Sequence, residues 1–285
     1  MTQPTAQQVI DSQRRDWNRV ASGWEQWDQF FDEQMAYVNH RLIGDARIRH
    51  GQRVLDLGSG TGYPALLAAK TVGTTGSVTG MDVAEQMLAA AERKAKQLGL
   101  VNVTFRPGDV THLPFDAGRF DAVTSRFCLM FLPEIPKAAT EIRRVLKPGG
   151  WVATAVWSTV DKNPSFRLAM ETIKEVVNLP PPDPSAPGIF RLAKAGELAE
   201  IFQRAGFVDV SDQEFLGEWS YDSEDHYVKS LFELAAPIQN LMASLSPVQV
   251  EEITRRLIRA STPFRRGNRI SFPIAARIVA GRTPS

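Results

Sequence analysis

Three glycines at alternate positions follow a short apolar strand that ends beside a carboxylate. The strand ends at Asp56 and Leu57, and the glycines are Gly58, Gly60 and Gly62. Because glycine has no Cβ, such a loop lets bare backbone approach a ligand at the start of a helix. A carboxylate beside that ligand repels phosphate and attracts a cation. These residue types therefore predict a site for a small cationic molecule.

The glycine spacing distinguishes between two possible cofactors, a dinucleotide and S-adenosylmethionine. A dinucleotide site uses Gly-x-Gly-x-x-Gly, whereas here the third glycine comes one position early and Tyr63 stands in its place. S-adenosylmethionine (SAM) carries a sulfonium and an ammonium and no phosphate, which suits Asp56. A second strand ends at Asp82, about 20 residues after the glycines, where both cofactors need an acid for the ribose. The loop is therefore interpreted as a SAM loop.

The sequence resembles the class I SAM-dependent methyltransferases, and within them the small-molecule branch similar to ubiquinone and menaquinone biosynthesis methyltransferases. The resemblance is close over residues 53–157. Besides the glycine loop and Asp82, it depends on short motifs at 85–88, 108–110, 113–115, 120–123 and 143–150. It implies an α/β fold with a doubly wound, Rossmann-like seven-stranded sheet and an antiparallel last strand. The long segments at 1–50, 158–190 and 216–269 predict a mainly helical cap over the ligand crevice.

The resemblance also implies cofactor roles for particular residues. Asp56 is expected near the methionyl ammonium, and Asp82 is expected to accept hydrogen bonds from both ribose hydroxyls. Asp109 is expected to accept from the adenine amino group, although a turn aspartate after Pro107 and Gly108 is the alternative. The other predicted cofactor contacts are Trp24, Gly58, Ser59, Gly60, Gly62, Val83, Met87, Val110 and Arg126. No metal site is predicted.

Two kinds of side chain are candidates for the methyl acceptor. Arg126 ends the fourth predicted strand, where a backbone carbonyl is the family's usual cofactor contact. Its side chain is therefore available either for a substrate anion or for a carboxylate of the fold. Aromatic residues in the predicted cap favour a hydrophobic or planar acceptor. The predicted acceptor contacts are Trp27, Arg126, Phe127, Trp157 and Trp219.

The segment around Trp24 resembles the N-terminal helix with which the family closes over the cofactor. An aromatic ring over a sulfonium is favourable. Trp17, Val20, Trp24 and Trp27 also recur at helical spacing, which a core-facing stripe explains equally well. The segment is therefore predicted to have both roles: Trp24 contacts the ligand, and the other three side chains pack in the core.

A histidine is the usual general base near neutral pH. His226, in the predicted lid, is the candidate catalytic residue, and His112, in the loop after the third strand, is the second candidate. A surface or structural role is the alternative for each. Methyl transfer from a sulfonium has an activated leaving group, so a fixed catalytic residue is not obligatory.

Composition limits the partners of the chain. Its 33 basic and 32 acidic side chains leave a net charge of +1 over 285 residues, which argues against nucleic acid or a membrane surface. The single cysteine, Cys128, excludes an intrachain disulfide and fits a reducing cytoplasm. Neither a secretory signal nor an apolar run long enough for a membrane span is found. A cytoplasmic protein with a small-molecule acceptor is expected.

Strand and helix signals alternate from residue 53 onward. Strands are predicted at 54–57, 78–82, 103–106, 122–125, 152–156, 208–215 and 270–279. Helices are predicted at 65–72, 84–98, 133–146 and 197–205, and a stiff proline-rich loop at 180–187. The predicted segments are an N-terminal helical cap (1–50), the SAM-binding core (51–157), a cap insertion (158–190), a return to the core (191–215), a lid insertion (216–269) and the seventh strand with the tail (270–285).

The predicted function is methyl transfer from SAM to O or C of a small hydrophobic or aromatic molecule, by in-line displacement, with S-adenosylhomocysteine (SAH) as product. Natural-product or quinone-type chemistry fits. Two alternatives stay open. A non-catalytic SAM-binding regulatory or assembly protein keeps every cofactor motif, and a crevice filled by cap side chains would indicate it. An NAD(P)-dependent oxidoreductase shares the sheet and Asp82.

Overall fold

The computed structural model describes residues 4–177 and 186–285. Most of the predicted loop at 180–187 and part of the segment 158–190 lie outside the described residues. The described helices are α1 Ala6–Gln26, α2 Asp28–Asp45, α3 Ala65–Val72, α4 Glu85–Gln97, α5 Ile135–Val145, α6 Pro164–Val176, α7 Glu197–Arg204, α8 Glu224–Leu234, α9 Ala236–Ser244 and α10 Pro247–Ser261. The described strands are β1 Arg53–Leu57, β2 Ser77–Asp82, β3 Val103–Pro107, β4 Phe120–Arg126, β5 Leu146–Trp157, β6 Val208–Tyr221, β7 Arg265–Arg266 and β8 Arg269–Arg282.

One sheet organises these elements, in the strand order β3-β2-β1-β4-β5-β8-β6. Strands β1 to β5 are parallel, and β8 is antiparallel to both of its neighbours, β5 and β6. The predicted Rossmann-like α/β fold with an antiparallel last strand is confirmed. The short strand β7, beside β8, adds an eighth strand to the expected seven. A strand of only two residues is too short to show the periodicity from which a strand is predicted.

The direction of winding reverses between β1 and β4. From β1 the chain crosses outward to β2 and β3, and from β4 it crosses outward to β5 on the other side. Ligands of open α/β sheets bind at such a switch point, outside the carboxyl ends of the strands. The residues that end β1, β2, β4 and β5 therefore surround the expected ligand crevice.

Helices cover both faces of the central strands. Val54, Leu55 and Leu57 of β1 have no exposed surface, as expected for a parallel strand buried between two helical layers. Helix α2 lies within the segment predicted as cap, and it packs against β4 and β5 through buried side chains that include Met35 and Leu42.

Helices α1, α6, α8, α9 and α10 form a further helical layer. Helix α1 packs against α4, α8 and α9, and α10 packs against α6 and α8. Strand β6 continues to Tyr221, beyond its predicted end at 215, because β8 pairs with it along its whole length. None of the described helices is long and apolar enough to cross a membrane.

Candidate active site

The glycine loop joins β1 to α3 at the carboxyl edge of the sheet. Gly58, Gly60 and Gly62 all have positive φ, at 66°, 49° and 118°, which residues with a Cβ rarely adopt. A Cβ on Gly58 would lie 2.4 Å from the sulfur of Cys128, and one on Gly62 would lie 2.6 Å from a methyl group of Leu66. A Cβ on Gly60 would meet no atom within 4 Å. The loop is therefore tightly packed at both ends and open in the middle.

Asp82, at the end of β2, is fixed against this loop. The Gly60 N–H donates to one carboxylate oxygen at 2.9 Å, and the Ala84 N–H donates to the other at 3.0 Å. Burial raises the pKa of Asp82, and these backbone donors partly offset that rise. Each oxygen keeps a lone pair for a further donor.

Asp56 is fully buried near the end of β1. The hydroxyl of Thr124, on the neighbouring strand β4, donates to Oδ1 of Asp56 at 2.6 Å, whereas Oδ2 has no partner among the described residues. Burial raises the pKa of Asp56 to about 7, although the Thr124 hydrogen bond, the positive charge of Arg126 and a longer contact with the Ala65 N–H lower it in part. A buried acceptor without a donor is costly. A cationic ligand would supply the missing donor.

Arg126 places a cation among these acids. Its Nη1 donates to Oδ1 of Asn39, on α2, at 2.8 Å. Burial lowers the pKa of Arg126, while the carboxylates of Asp56, Asp32 and Asp28 raise it. An arginine starts from so high a pKa that the guanidinium stays charged. The crevice therefore offers groups of both signs to a ligand.

Asp109, after β3, is held within its own turn. Its Oδ1 accepts from the Thr111 N–H at 2.8 Å, and its Oδ2 accepts from the Thr111 hydroxyl at 2.7 Å. These are the contacts of the turn aspartate considered above, and they leave lone pairs for an adenine amino group. Val110 beside it is buried. His112 is exposed, with Nε2 2.8 Å from Nζ of Lys137.

Five aromatic rings gather where β4 and β5 end. This aromatic cluster consists of Phe31, Phe127, Trp157, Phe166 and Trp219. Phe127 stacks on Trp157, with ring centres 4.2 Å apart and planes 6° from parallel. Trp219 meets Trp157, Phe31 and Phe166 edge to face at 5.1, 5.6 and 5.7 Å. The structure thus brings three of the predicted acceptor residues together.

Two features of the aromatic cluster are unusual. Phe127 has a φ of 55°, a left-handed conformation that is uncommon for an aromatic residue and costs free energy. The indole Nε1 of Trp219 is buried and has no hydrogen-bond partner among the described residues. Strain and an unused donor at the same place are typical of a functional site.

Trp27 and His226 lie in a neighbouring aromatic group. Their rings stack with centres 4.6 Å apart. The Asp222 N–H donates to Nδ1 of His226 at 3.2 Å, and Oδ2 of Asp222 lies 3.5 Å from the same nitrogen. The contact between Phe30 and Phe31, 5.3 Å apart, connects this group to the aromatic cluster. In this arrangement Nδ1 is not free to accept a proton from an acceptor.

Trp24 connects helix α1 to the start of α4. Its indole N–H donates to the carbonyl of Leu234 at 3.1 Å, and its ring stacks on Phe31 at 4.9 Å. It also packs against a buried group that includes Ala84 and Met87. Trp24 therefore reaches the vicinity of Asp82 from the helical layer, as a residue that covers the crevice would.

Comparison with known proteins identifies the family. Residues 54–150 match the family model described as a methyltransferase domain. The chain is 33% identical over 199 residues to a demethylmenaquinone methyltransferase of Staphylococcus aureus strain JH9, a match that covers 65% of this chain and 80% of that protein. The class I SAM-dependent methyltransferases are the family to which this chain belongs.

Solved structures share the fold of this chain. The YcgJ protein of Bacillus subtilis gives a TM-score of 0.59 at 23% identity, over 88% of this chain and 99% of that chain. A phosphoethanolamine N-methyltransferase 2 of Haemonchus contortus, in complex with phosphomonomethylethanolamine and SAH, gives 0.57 at 19% identity, over 99% of this chain and 61% of that chain. At these identities the two structures show the fold alone.

This methyltransferase uses SAM, and its family decides against the NAD(P)-dependent alternative. The charges and the unpartnered polar atoms of the crevice fit SAM. Asp56 Oδ2 and the buried hydroxyl of Ser59 are without partners among the described residues, Gly60 borders open space, and Asp82 keeps acceptor capacity for ribose hydroxyls. Asp56 would hold the ammonium. The individual contacts predicted for these residues, and for the partly buried Val83, stay predictions.

Two residues that hold the charged groups of this methyltransferase were missed by sequence reasoning. Thr124 lies two residues before Arg126, so the alternation of a strand places both on one face of β4, and this signal was available. Asn39 lies 87 residues before Arg126. No local pattern connects an asparagine in a helix to an arginine so far along the chain.

Proposed function

We propose that this methyltransferase transfers the methyl group of SAM to an oxygen or carbon atom of a small planar aromatic molecule. The observation that carries the proposal is the parallel pair of Phe127 and Trp157, 4.2 Å apart, where β4 and β5 end. An acceptor that stacks against this pair lies beside the donor crevice. Flat aromatic side chains recognise flat acceptors by stacking and by burial of apolar surface.

The unused donor of Trp219 favours an acceptor that carries an oxygen. Its indole is 5% exposed, and the rings of Phe31, Trp157 and Phe166 around it offer no lone pair. Buried N–H groups almost always have a hydrogen-bond partner. A phenol, quinol or carbonyl oxygen would provide one.

A relative favours quinone-type molecules within this class. The Staphylococcus aureus protein is named for demethylmenaquinone, and the aromatic cluster suits a fused ring system. We therefore place reduced naphthoquinones first among the candidate acceptors, followed by simple phenols. Natural-product tailoring is the second setting in which such acceptors occur.

In the proposed reaction the protein aligns the reactants and excludes water. SAM supplies a methyl group on a sulfonium, which is displaced in line. Asp56 and Asp82 hold the donor at its methionyl ammonium and at its ribose, and Phe127 and Trp157 fix the plane of the acceptor. A phenol also loses a proton during the reaction. His226 stays the sequence-based candidate for that step.

The class of acceptor and the cellular location are part of the same proposal. A net charge of +1 supports a small molecule over nucleic acid as the acceptor. The single cysteine supports a cytoplasmic location.

A second candidate function is SAM binding without methyl transfer. Trp157 and Trp219 are both only 5% exposed, so cap and core side chains fill much of the space in which an acceptor would stack. A regulatory or assembly role needs no such space. The two candidates differ in whether any acceptor becomes methylated.

Methyl-labelled SAM and a panel of acceptors test the proposal. The panel contains reduced naphthoquinones, simple phenols, aliphatic amines and aliphatic carboxylates. Label in the naphthoquinol or phenol fraction supports the proposal, and label only in amines or carboxylates contradicts it. SAH binding without label in any fraction favours the second candidate.

A matched pair of variants connects turnover to the aromatic cluster. Trp157→Leu should reduce transfer to aromatic acceptors and leave SAH binding intact. Tyr37→Leu removes a ring that is 52% exposed and stacks on Phe215 outside the aromatic cluster. It should leave turnover unchanged.

A further inference from the structure

The guanidinium of Arg126 has bonding capacity that the protein does not use. The side chain is partly buried at the end of β4, and its hydrogen bond is to the neutral amide of Asn39. Within residues 4–177 and 186–285 it forms no ion pair. Desolvation lowers the pKa of Arg126, and the carboxylates of Asp56, Asp32 and Asp28 raise it from beyond ion-pair distance. A partly buried arginine without a carboxylate partner is suited to an anionic ligand.

Asp56 has complementary unused capacity on the same face of the sheet. Asp56 pairs in register with Thr124 on the neighbouring strand. Arg126 lies two residues after Thr124, and alternate residues of a strand share a face. Oδ2 of Asp56 has no partner among the described residues. A carboxylate and a guanidinium thus lie on adjacent strands, each able to bind a further charged group.

An α-amino acid matches this arrangement. It carries an ammonium and a carboxylate on one carbon atom, so it can satisfy two opposite charges that lie close together without pairing. Arg126 also lies on the side of the glycine loop, because the groups close enough to affect its pKa include Tyr63 of that loop and Asp32 of α2. Phe127, the next residue, turns instead to stack on Trp157.

We propose that the Arg126 side chain binds the carboxylate of the methionyl group of SAM, with the ammonium of the same group at Asp56. Arg126 is then a positioning residue for the donor and not a contact for an anionic acceptor. The proposal depends on SAM as the donor and is independent of the acceptor's identity. It also explains why the guanidinium is held by a neutral amide, since a carboxylate partner would compete with the ligand.

Calorimetric titration with two ligands tests the assignment. The first ligand is SAH, and the second is its decarboxylated analogue, which keeps the ammonium and lacks the carboxylate. Losing a charged hydrogen-bond partner predicts that Arg126→Gln binds SAH about 10- to 100-fold more weakly than the wild type. The same variant should bind the decarboxylated analogue as tightly as the wild type does. Arg126→Lys keeps the charge, so its affinity for SAH should lie between those of the wild type and Arg126→Gln. Its affinity for the decarboxylated analogue should equal that of the wild type.

The outcomes separate the possible errors. Unchanged SAH affinity in Arg126→Gln would overturn the assignment and return Arg126 to the acceptor. Equal losses for both ligands would overturn it as well, because they would show a structural role. If Arg126→Gln does not fold, as judged by circular dichroism, Arg126→Lys carries the same comparison. A wild type that binds neither ligand would instead contradict the assignment of the SAM crevice.

Discussion

The hydroxyl of Thr124 donates a hydrogen bond of 2.6 Å to one oxygen of the buried Asp56 carboxylate, whose other oxygen has no partner among the described residues. This half-satisfied carboxylate lies where β1 meets β4, with Arg126 and Asp82 as the charged groups that act on it. Its protonation state should therefore respond to a ligand that brings an ammonium.

SAH affinity should rise with pH up to about neutrality. Burial raises the pKa of Asp56 to about 7 in the free protein, so below this pH the side chain is largely protonated and cannot attract an ammonium. Binding must then release a proton, and affinity increases as pH rises through 7 and levels off above it. Calorimetry from pH 5.5 to 8, in buffers of different ionisation enthalpy, measures both the affinity and the released proton.

Asp56→Asn is the control for that pH dependence. The amide does not titrate, so the slope between pH 5.5 and 7 should disappear while Asp82, whose pKa is also raised, stays in place. A slope that persists in Asp56→Asn would assign the titration to another group.

Asp82→Ala should weaken SAH binding by about 1–3 kcal/mol, the range for loss of a hydrogen-bond partner to a charged group. The substitution also frees the Gly60 N–H that now donates to the carboxylate. Glu85→Gln is a matched control, because Glu85 is a nearby acid whose side chain is 54% exposed. Equal affinity of Asp82→Ala and wild type would remove the ribose assignment.

Trp219→Phe should impair the acceptor and spare the donor. Phenylalanine keeps an aromatic ring and removes the unpartnered N–H, so loss of one hydrogen bond raises KM for the acceptor roughly 5- to 10-fold. SAH affinity, measured by calorimetry, should match that of the wild type. A variant with unchanged KM would show that the acceptor oxygen does not meet this indole.

His226→Ala should lower the melting temperature more than it changes the pH profile of kcat. The imidazole stacks on Trp27, and its Nδ1 accepts from the Asp222 N–H, so its removal mainly costs packing. His226→Gln keeps an acceptor at that position and should recover part of the stability. Loss of an ionisation near neutral pH from the kcat profile of both variants would instead identify His226 as the general base.

The parts of the fold that the sequence predicted are those with strong local patterns. The order of strands and helices in the core could be predicted from the apolar runs of β1 to β5 and from the residues that end the helices. Each of these patterns lies within about ten residues of sequence. The end of β6 was missed because it depends on β8, from Tyr221 paired with Ile270 to Val208 paired with Arg282. Strand length set by a distant partner leaves no local signal.

The same distinction holds for the site. Asp56, Gly60 and Asp82 could be selected because the loop and the strand ends lie close in sequence. The neutral partner of Arg126, Asn39, comes from another helix, and the hydrogen bond that engages His226 comes from the backbone of Asp222. Residue type predicted which groups could react, and only tertiary structure determines which of their atoms are already occupied.

Product analysis with a reduced naphthoquinone and methyl-deuterated SAM tests the central claim most directly. Mass spectrometry of the extracted acceptor, with SAH measured in the same sample, follows both halves of the transfer. The account predicts one deuterated methyl group on the acceptor for each SAH formed, and much less of both with Trp157→Leu. SAH formation without a labelled acceptor, or transfer that Trp157→Leu does not reduce, would contradict a planar aromatic acceptor bound at this aromatic cluster.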